Sequence, residues 1–189
     1  WKGSMKGIDT GTVITLGTAI GGAIIIDGKL YRGNTFAAGE YSNICMDWME
    51  PLRPHYAWYR AGGVGMLCLE YAKTADLDPT KVDGRMLFEA ANNGDEKANA
   101  ALRQYCYRMA GGIFSLQVIL DMQRVAIGGG ISKQPLLMKY MNEEMDHIME
   151  AKSPSPVSRP EIVSCTFGND ANMIGALYHY LYELEGKDK

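Results

Sequence analysis

The sequence predicts an α/β fold in which a mixed sheet begins with an antiparallel meander and packs against helices. Three short apolar runs rich in β-forming residues, at 13–16, 23–26 and 29–31, follow one another closely. Two further short runs, at 125–127 and 160–166, alternate with segments whose apolar residues recur at helical spacing. Such alternation of strands and helices is typical of an α/β protein.

Length, charge and cysteine usage limit the class of protein. The 189 residues carry a net charge of −3 and suit a single globular domain. No apolar run approaches the roughly 20 residues of a membrane helix, and the basic residues are scattered, so we expect neither membrane insertion nor nucleic-acid binding. The four cysteines lie far apart without a Cys-x-x-Cys pair. They are typical of reduced thiols, so we expect a cytoplasmic protein.

The predicted meander spans residues 12–32, and its two turns differ. Asp27-Gly28 predicts a two-residue hairpin turn, because both positions need a positive φ. The first turn, residues 17–22, contains Gly17, Gly21 and Gly22 beside the hydroxyl of Thr18. Such a loop exposes backbone N–H groups that can cradle a phosphate, although a glycine-rich turn without a ligand has the same features.

Two carboxylates follow the meander. Glu40 lies in the small-residue loop 33–43, where it can bind sugar hydroxyls or remain an ordinary solvated carboxylate. Glu70 lies in a helix predicted to start after the glycines at 62–65. We expect Glu70 near the N-terminal end of that helix, where a negative charge is favourable without any function.

An aromatic, proline-bearing stretch occupies residues 44–65. It can line a pocket, cover a neighbour or form core, and the sequence leaves these alternatives open. Its members are Trp48, Pro51, Pro54, His55, Tyr56, Trp58 and Tyr59.

From residue 83 to 185 the pattern is mainly helical. A short helix is predicted at 85–91, and Asp95 is predicted to cap a long helix that ends near residue 120. Within it, Gly111-Gly112 predicts a close helix packing contact or a kink.

The buried strand at 125–127 runs into Gly128, Gly129 and Gly130, and a helix follows at 134–151. A glycine turn between a strand and a helix is where open α/β sheets bind nucleotides. A strand at 160–166 and a helix from 168 to about 184 complete the predicted fold.

Five motifs of this sequence resemble, in order and spacing, the second half of the ROK (repressor, open reading frame, kinase) family. They are LGTAIGGAIIIDGKLYRG, AAGE, LCLEYA, VAIGGGIS and FGNDANMIGALYHY. The resemblance implies an actin-like, ribonuclease-H-like ATPase fold of two lobes, with ATP and sugar between them, commonly assembled as dimers. The chain looks like the carboxy-terminal lobe alone. Because it begins with Trp1 rather than Met, we expect a piece of a longer protein.

The resemblance also implies roles for particular residues. Gly17, Thr18, Gly21 and Gly22 look like the hairpin over the ATP phosphates, although Ala19 stands where the family usually has glycine. The triple glycine, including Gly129 and Gly130, looks like the loop beside the adenosine. Glu40 and Glu70 match carboxylates that accept hydrogen bonds from sugar hydroxyls, and Asn43 can also hydrogen-bond a sugar.

The zinc motif of many ROK proteins is incomplete here. Its histidine position is Asn43, its first two cysteine positions are Ala61 and Gly63, and Cys68 alone remains. One thiolate cannot form a tetrahedral zinc site, so we expect no zinc, with the aromatic stretch at 44–65 as the alternative brace.

The segment Asn169-Asp170-Ala171-Asn172 looks like the family's catalytic motif but stands at the wrong place in the chain. By position it matches the start of the last helix, where Asn169 or Asp170 would cap backbone N–H groups. We therefore expect no catalytic residue in this chain, with the general base in a missing amino-terminal lobe.

The resulting hypothesis is one part of a sugar kinase that transfers the γ-phosphoryl group of ATP, with Mg²⁺, to a hydroxyl of a hexose or hexoside. The expected partners are the sugar, ATP, the amino-terminal lobe and a second copy in a homodimer. Two alternatives stay open at this point: the sugar-sensing lobe of a ROK repressor, and a plain dimerisation module.

Overall fold

The computed structural model describes residues 2–47, 49 and 57–184, in which a five-stranded mixed sheet packs with helices. The strands are β1 (Gly11–Leu16), β2 (Ile20–Ile26), β3 (Lys29–Tyr31), β4 (Arg124–Gly129) and β5 (Glu161–Ser164). Their order across the sheet is β3-β2-β1-β4-β5. β1 pairs with β2 and β2 with β3 in antiparallel orientation, whereas β4 pairs with β1 and β5 with β4 in parallel orientation. The predicted mixed sheet with an initial meander is therefore confirmed.

The two turns of the meander have different outcomes. Asp27 and Gly28 both have positive φ, 54° and 69°, so the predicted hairpin turn is confirmed. The predicted first loop is wrong in extent, because β2 already begins at Ile20 and pairs Gly21 with Thr15. Gly22 also lies inside the strand, where a Cβ would collide with the Tyr41 ring. The loop itself contains only residues 17–19.

The helices carry the bulk of the chain's second half. Their bounds are α1 (Trp58–Gly62), α2 (Val64–Ala75), α3 (Gly84–Asn92), α4 (Glu96–Leu120), α5 (Pro135–Ala151) and α6 (Ala171–Tyr178). Short 3-10 turns occupy Tyr41–Asn43 and Gly168–Asp170, and a π-helical segment, His179–Leu184, follows α6. No helix in the described residues is both long and apolar enough to cross a bilayer.

Two aspartates cap the middle helices as local sequence chemistry dictates. The Asp95 side chain accepts a hydrogen bond from the Ala98 N–H over 2.7 Å, which confirms the predicted start of α4. Asp83 accepts from the Met86 N–H over 2.8 Å and fixes the start of α3. The start of α3 is therefore set by a side chain that the sequence analysis did not single out.

Helix α4 runs through the centre of the core. Its inward side chains Leu102, Tyr105, Met109 and Ile113 are fully buried. A Cβ at Gly112 would collide with the indole ring of Trp58, so the predicted close helix contact is confirmed at that residue. Trp58 itself is 0% exposed, which assigns it to the core among the alternatives for the aromatic stretch. Trp48, Pro51, Pro54, His55 and Tyr56 lie outside the described residues.

The end of the chain differs from the prediction in one respect. Asp170 does not cap the last helix, because no hydrogen bond joins its side chain to the helix start. The 3-10 turn runs directly into α6, which leaves Asp170 at φ −76° and ψ −11° rather than in the extended conformation of an N-cap. The side chain of Asn169 is not among the described ones.

Candidate functional site

The loop between β1 and β2 is fastened to the start of α2. The Gly17 N–H donates to the Ala19 carbonyl over 3.1 Å, and the Gly17 carbonyl accepts from the Val64 N–H over 2.9 Å. A Cβ at Gly63 would lie 2.5 Å from the Thr18 carbonyl oxygen, so the backbones meet only because position 63 is glycine. Thr18 remains exposed at the tip.

The triple glycine lies at the carboxyl end of β4. Gly129 has a φ of +94°, and a Cβ there would collide with the carbonyl of Leu16 on the neighbouring strand. Gly130 faces open space, because a Cβ would meet no atom within 4 Å. The buried Ser132 hydroxyl donates to the Gly129 carbonyl over 2.8 Å and holds the turn closed. Sequence reasoning missed Ser132, although it stands immediately beyond the glycine turn.

Two neighbouring clefts bring these two glycine segments together. The first, which we name the Gly130 cleft, has a volume of about 410 Å³. The second, the Thr18 cleft, has a volume of about 540 Å³. Gly84 lines both clefts and therefore forms their common wall. The Gly130 cleft is lined by Gly84, Arg85, Phe88, Glu89, Asn92, Gly130, Ile131 and Gln134.

The Thr18 cleft also contains the one surviving residue of the incomplete zinc motif. Cys68 lines it from α2, and burial, together with the nearby charge of Asp83, raises the pKa of the Cys68 thiol. The thiol therefore stays protonated near neutral pH. Within the described ranges, no three His, Cys, Asp or Glu side chains are grouped as ligands for an ion.

Glu40 and Asn43 share one exposed turn. Asn43 Nδ2 donates to the Glu40 carbonyl over 3.4 Å, and both side chains face solvent. The turn is anchored below by Tyr41, whose hydroxyl hydrogen-bonds that of Thr12 in β1. Ser42 Oγ adds a 2.6 Å hydrogen bond to the Ile20 carbonyl. The two candidate sugar-binding side chains are therefore presented by a turn tied to the sheet.

Glu70 lies elsewhere than expected along its helix. It is the seventh of the twelve residues of α2, so the predicted position near the helix N-terminus is wrong. The error arises because α2 already begins at Val64, between two glycines. A favourable charge near a helix end no longer explains the residue. Its partner is Arg108 of α4, whose Nη2 lies 2.6 Å from Glu70 Oε2.

Sequence reasoning missed Arg108, since nothing in the periodicity of α4 indicates which residue faces Glu70. The structure joins Glu40 to Asn43, but within its described part no hydrogen bond or ion pair joins either of them to Glu70. Asp170 is exposed and lines neither of the two clefts.

Comparison with known proteins identifies a family. The model of the ROK family matches residues 1–182. A β-glucoside kinase from Listeria monocytogenes is 27% identical over 97% of this chain and 60% of its own length. A β-glucoside kinase from Klebsiella pneumoniae is 28% identical over 100% of this chain and 62% of its own length. The chain thus spans about three fifths of the curated relatives it matches.

A solved structure shows the same architecture. The crystal structure of a ROK family protein from Streptococcus pneumoniae TIGR4 in complex with sucrose superimposes with a TM-score of 0.85 and 25% identity. The match covers 96% of this chain and 61% of that one. The two proteins therefore share one fold over nearly the whole of this chain.

Proposed function

The chain belongs to the ROK family and has its actin-like ATPase fold, and from that premise we propose that the whole protein is an ATP-dependent sugar kinase. It phosphorylates a hydroxyl of a hexose or hexoside, in the manner of a glucokinase or β-glucoside kinase. The observation that carries the proposal is the common wall, Gly84, between the Thr18 cleft and the Gly130 cleft.

The Gly130 cleft suits the adenosine of ATP. Its volume of about 410 Å³ lies within the usual range for small-molecule sites. Phe88 and Ile131 are 2% and 9% exposed and form an apolar floor to the cleft, whereas Asn92 and Gln134 can hydrogen-bond polar edges of the ligand. Open space at Gly130 lets the ligand approach the backbone closely.

The Thr18 cleft suits the phosphates. The exposed loop at 17–19 offers the Thr18 hydroxyl and backbone groups, and its attachment to α2 keeps them in place before the nucleotide arrives. Gly21, which pairs with Thr15 in β2 next to this loop, stays in the proposal as a part of the phosphate-binding hairpin. Mg²⁺ bound with the nucleotide would supply positive charge beside the phosphate oxygens.

Glu40, Asn43 and Glu70 are the proposed contacts to the sugar. A carboxylate accepts hydrogen bonds from hydroxyl groups, and such charge-assisted bonds are about twice as strong as neutral ones. We assign the proton acceptor for the attacking hydroxyl to the amino-terminal lobe. No carboxylate of this chain has that role in our proposal. Glu40, Asn43 and Glu70 therefore bind and orient the sugar. The phosphoryl group passes from ATP to the sugar in the cleft between the two lobes.

The same proposal includes the partners. The apolar side chains of Met173 and Leu177 on α6 are 68% and 51% exposed, which suits a helix that another lobe of the same protein covers. Membership of the family supports a cytoplasmic homodimer. Both curated relatives described above are named as kinases, which favours a kinase over a repressor or a dimerisation module.

An assay of ATP consumption across hexoses and β-glucosides tests the function. We expect turnover in the whole protein and none in the isolated 189-residue chain, because proton acceptance and part of the phosphate cradle lie outside it. Sugar binding without turnover in the whole protein would contradict the kinase and support a sensing role. Turnover by the isolated chain that disappears in Asp170→Asn would show that Asp170 is the base.

A further inference from the structure

We propose that Arg108 is a positioning residue that holds the Glu70 carboxylate in the orientation needed to bind the sugar. The inference rests on the proposed function, since it takes Glu70 as a sugar ligand. Arg108 Nη2 lies 2.6 Å from Glu70 Oε2, a short charge-assisted hydrogen bond between α4 and α2. The two side chains are 24% and 29% exposed, so the pair lies at the edge of the core.

The backbone on either side of the pair is rigidly placed. Tyr105, one turn before Arg108 on α4, is fully buried, and its hydroxyl donates to the Gly62 carbonyl over 2.7 Å. Met109, the next residue along the helix, is also 0% exposed. Because α4 is anchored beside the start of α2, the guanidinium reaches Glu70 from a fixed base.

The pairing leaves part of the carboxylate available. In the described part of the chain, Arg108 contacts Glu70 through Oε2 only. No hydrogen bond or ion pair there engages Oε1. A carboxylate accepts hydrogen bonds at both oxygens. One oxygen is thus fixed by the protein while the other can accept from a sugar hydroxyl, which is the arrangement of a preorganised ligand.

The guanidinium of Arg108 leaves one of its own hydrogen-bond donors without a partner in the described part of the chain. Arg108 Nε is buried and has no hydrogen-bonding partner in the described part of the chain. An unpaired buried donor costs free energy, so an arginine positioned for stability alone would be expected to satisfy it. Orientation of Glu70 accounts for the placement, because the single contact at Nη2 sets the direction of the carboxylate.

Sugar and nucleotide affinities of the whole protein, measured separately by calorimetry, test the proposal. Arg108→Gln should raise the Kd for the sugar roughly tenfold, a change of one decade that corresponds to the loss of one orienting hydrogen bond. The Kd for a non-hydrolysable ATP analogue should stay unchanged, because neither Glu70 nor Arg108 lines either cleft. Arg108→Lys, which keeps the charge and a donor, should restore most of the sugar affinity.

A double-mutant cycle separates positioning from general damage. If Arg108 acts through Glu70, then Arg108→Gln should add almost nothing to the loss caused by Glu70→Gln. Arg103→Gln is the matched control, because Arg103 lies on the same helix but pairs with Glu143 of α5 at 2.9 Å rather than with Glu70. That variant should lose stability to a similar extent and keep its sugar affinity.

Three results would overturn the proposal. If the pair is purely structural, Arg108→Gln should lower the unfolding temperature and leave the sugar Kd unchanged. The sugar Kd should then also be unchanged in the folded Arg108→Lys variant. Additive losses in the double mutant would show that Arg108 does not act through Glu70. If Glu70→Gln keeps full sugar affinity in an active kinase, the positioning role fails while the proposed function stands. Absence of turnover with the sugar effects intact would instead contradict the kinase alone.

Discussion

Glu40 and Thr18 are exposed side chains held by short segments that are themselves well anchored. Glu40 precedes the turn that Tyr41 and Ser42 tie to the meander. Thr18 is at the tip of a loop bound to Val64 at the start of α2. Because both side chains are exposed, substituting them removes little packing. Variants at both positions can therefore report on ligand binding without a large effect on folding.

For Glu40→Gln in the whole protein, we expect weaker sugar recognition by roughly 1 to 3 kcal/mol, since a neutral amide replaces a charged acceptor of the same size. The Kd for ATP should barely change. Calorimetry with each ligand in turn provides the measurement.

Thr18→Val is the reciprocal variant. It removes the hydroxyl at the tip of the loop and should weaken nucleotide binding while it spares the sugar. Equal losses of sugar and nucleotide affinity in either variant would contradict the proposal that Glu40 binds the sugar and Thr18 the nucleotide.

Tyr105 makes alkaline pH a probe of the core. Burial raises the pKa of its phenol well above the ordinary value, and burial likewise raises the pKa of the neighbouring Cys106 thiol. Because the folded state holds these protons more tightly than the unfolded chain, their stabilising contribution is complete below the unfolded pKa values. It is lost as the pH rises above about 9 for the thiol and about 10 for the phenol.

We therefore expect the free energy of unfolding to fall with pH in that alkaline range, by up to about 1.4 kcal/mol per pH unit for each group. Denaturant titrations at several pH values measure the slope. Tyr105→Phe should show a shallower decline above about pH 10. Identical slopes in the two proteins would indicate that the phenol is not protected in the folded state.

Helix α4 as a whole connects the candidate site to the core. One side packs its apolar residues, Gly112 admits Trp58, and Arg108 reaches the carboxylate on α2. Two adjacent glycines on this helix differ sharply in their surroundings. A Cβ at Gly111 would meet no atom within 4 Å, whereas one at Gly112 would collide with the indole ring.

Gly112→Ala should therefore destabilise the protein by roughly 1 to 3 kcal/mol through overpacking. Gly111→Ala is the natural control and should stabilise it by roughly 0.5 to 1 kcal/mol, because alanine favours the helix. Thermal and denaturant unfolding of both variants gives the two signs. A neutral or stabilising Gly112→Ala would mean that Trp58 moves aside easily.

For the whole molecule, we expect a lobe without the family's zinc, independently of the proposed kinase activity. Positions 43, 61, 63 and 68 are Asn, Ala, Gly and Cys, and Cys68 lines the Thr18 cleft. The ring centroids of Trp58 and Tyr41 lie 5.9 Å apart, and Trp58 also packs against Gly112. We predict that this aromatic packing serves in place of the zinc, because it buries a large apolar area.

Elemental analysis of protein purified without added metal should accordingly find much less than one zinc per chain. Cys68→Ser should leave the metal content unchanged. A content of about one zinc per chain would contradict the prediction, and a loss of that zinc in Cys68→Ser would identify the thiol as a ligand.

Local patterns in the sequence were sufficient for most of the fold. The Asp27-Gly28 turn, the Asp95 cap and the order of strands and helices follow from short-range preferences, because φ, capping and periodicity are decided within a few residues. The same local patterns identified the glycines at 17 and 128–130 as a candidate nucleotide site.

The residue types alone define the chemistry that is available: glycine backbones without side chains, a threonine hydroxyl and carboxylates suited to a sugar. The packing of the folded chain then sets which of these groups meet. It moved Gly21 into a strand, paired Glu70 with Arg108, and joined the two glycine segments through Gly84. These outcomes depend on contacts between residues far apart in the chain, and such contacts are set by how helices pack on the sheet rather than by any local preference.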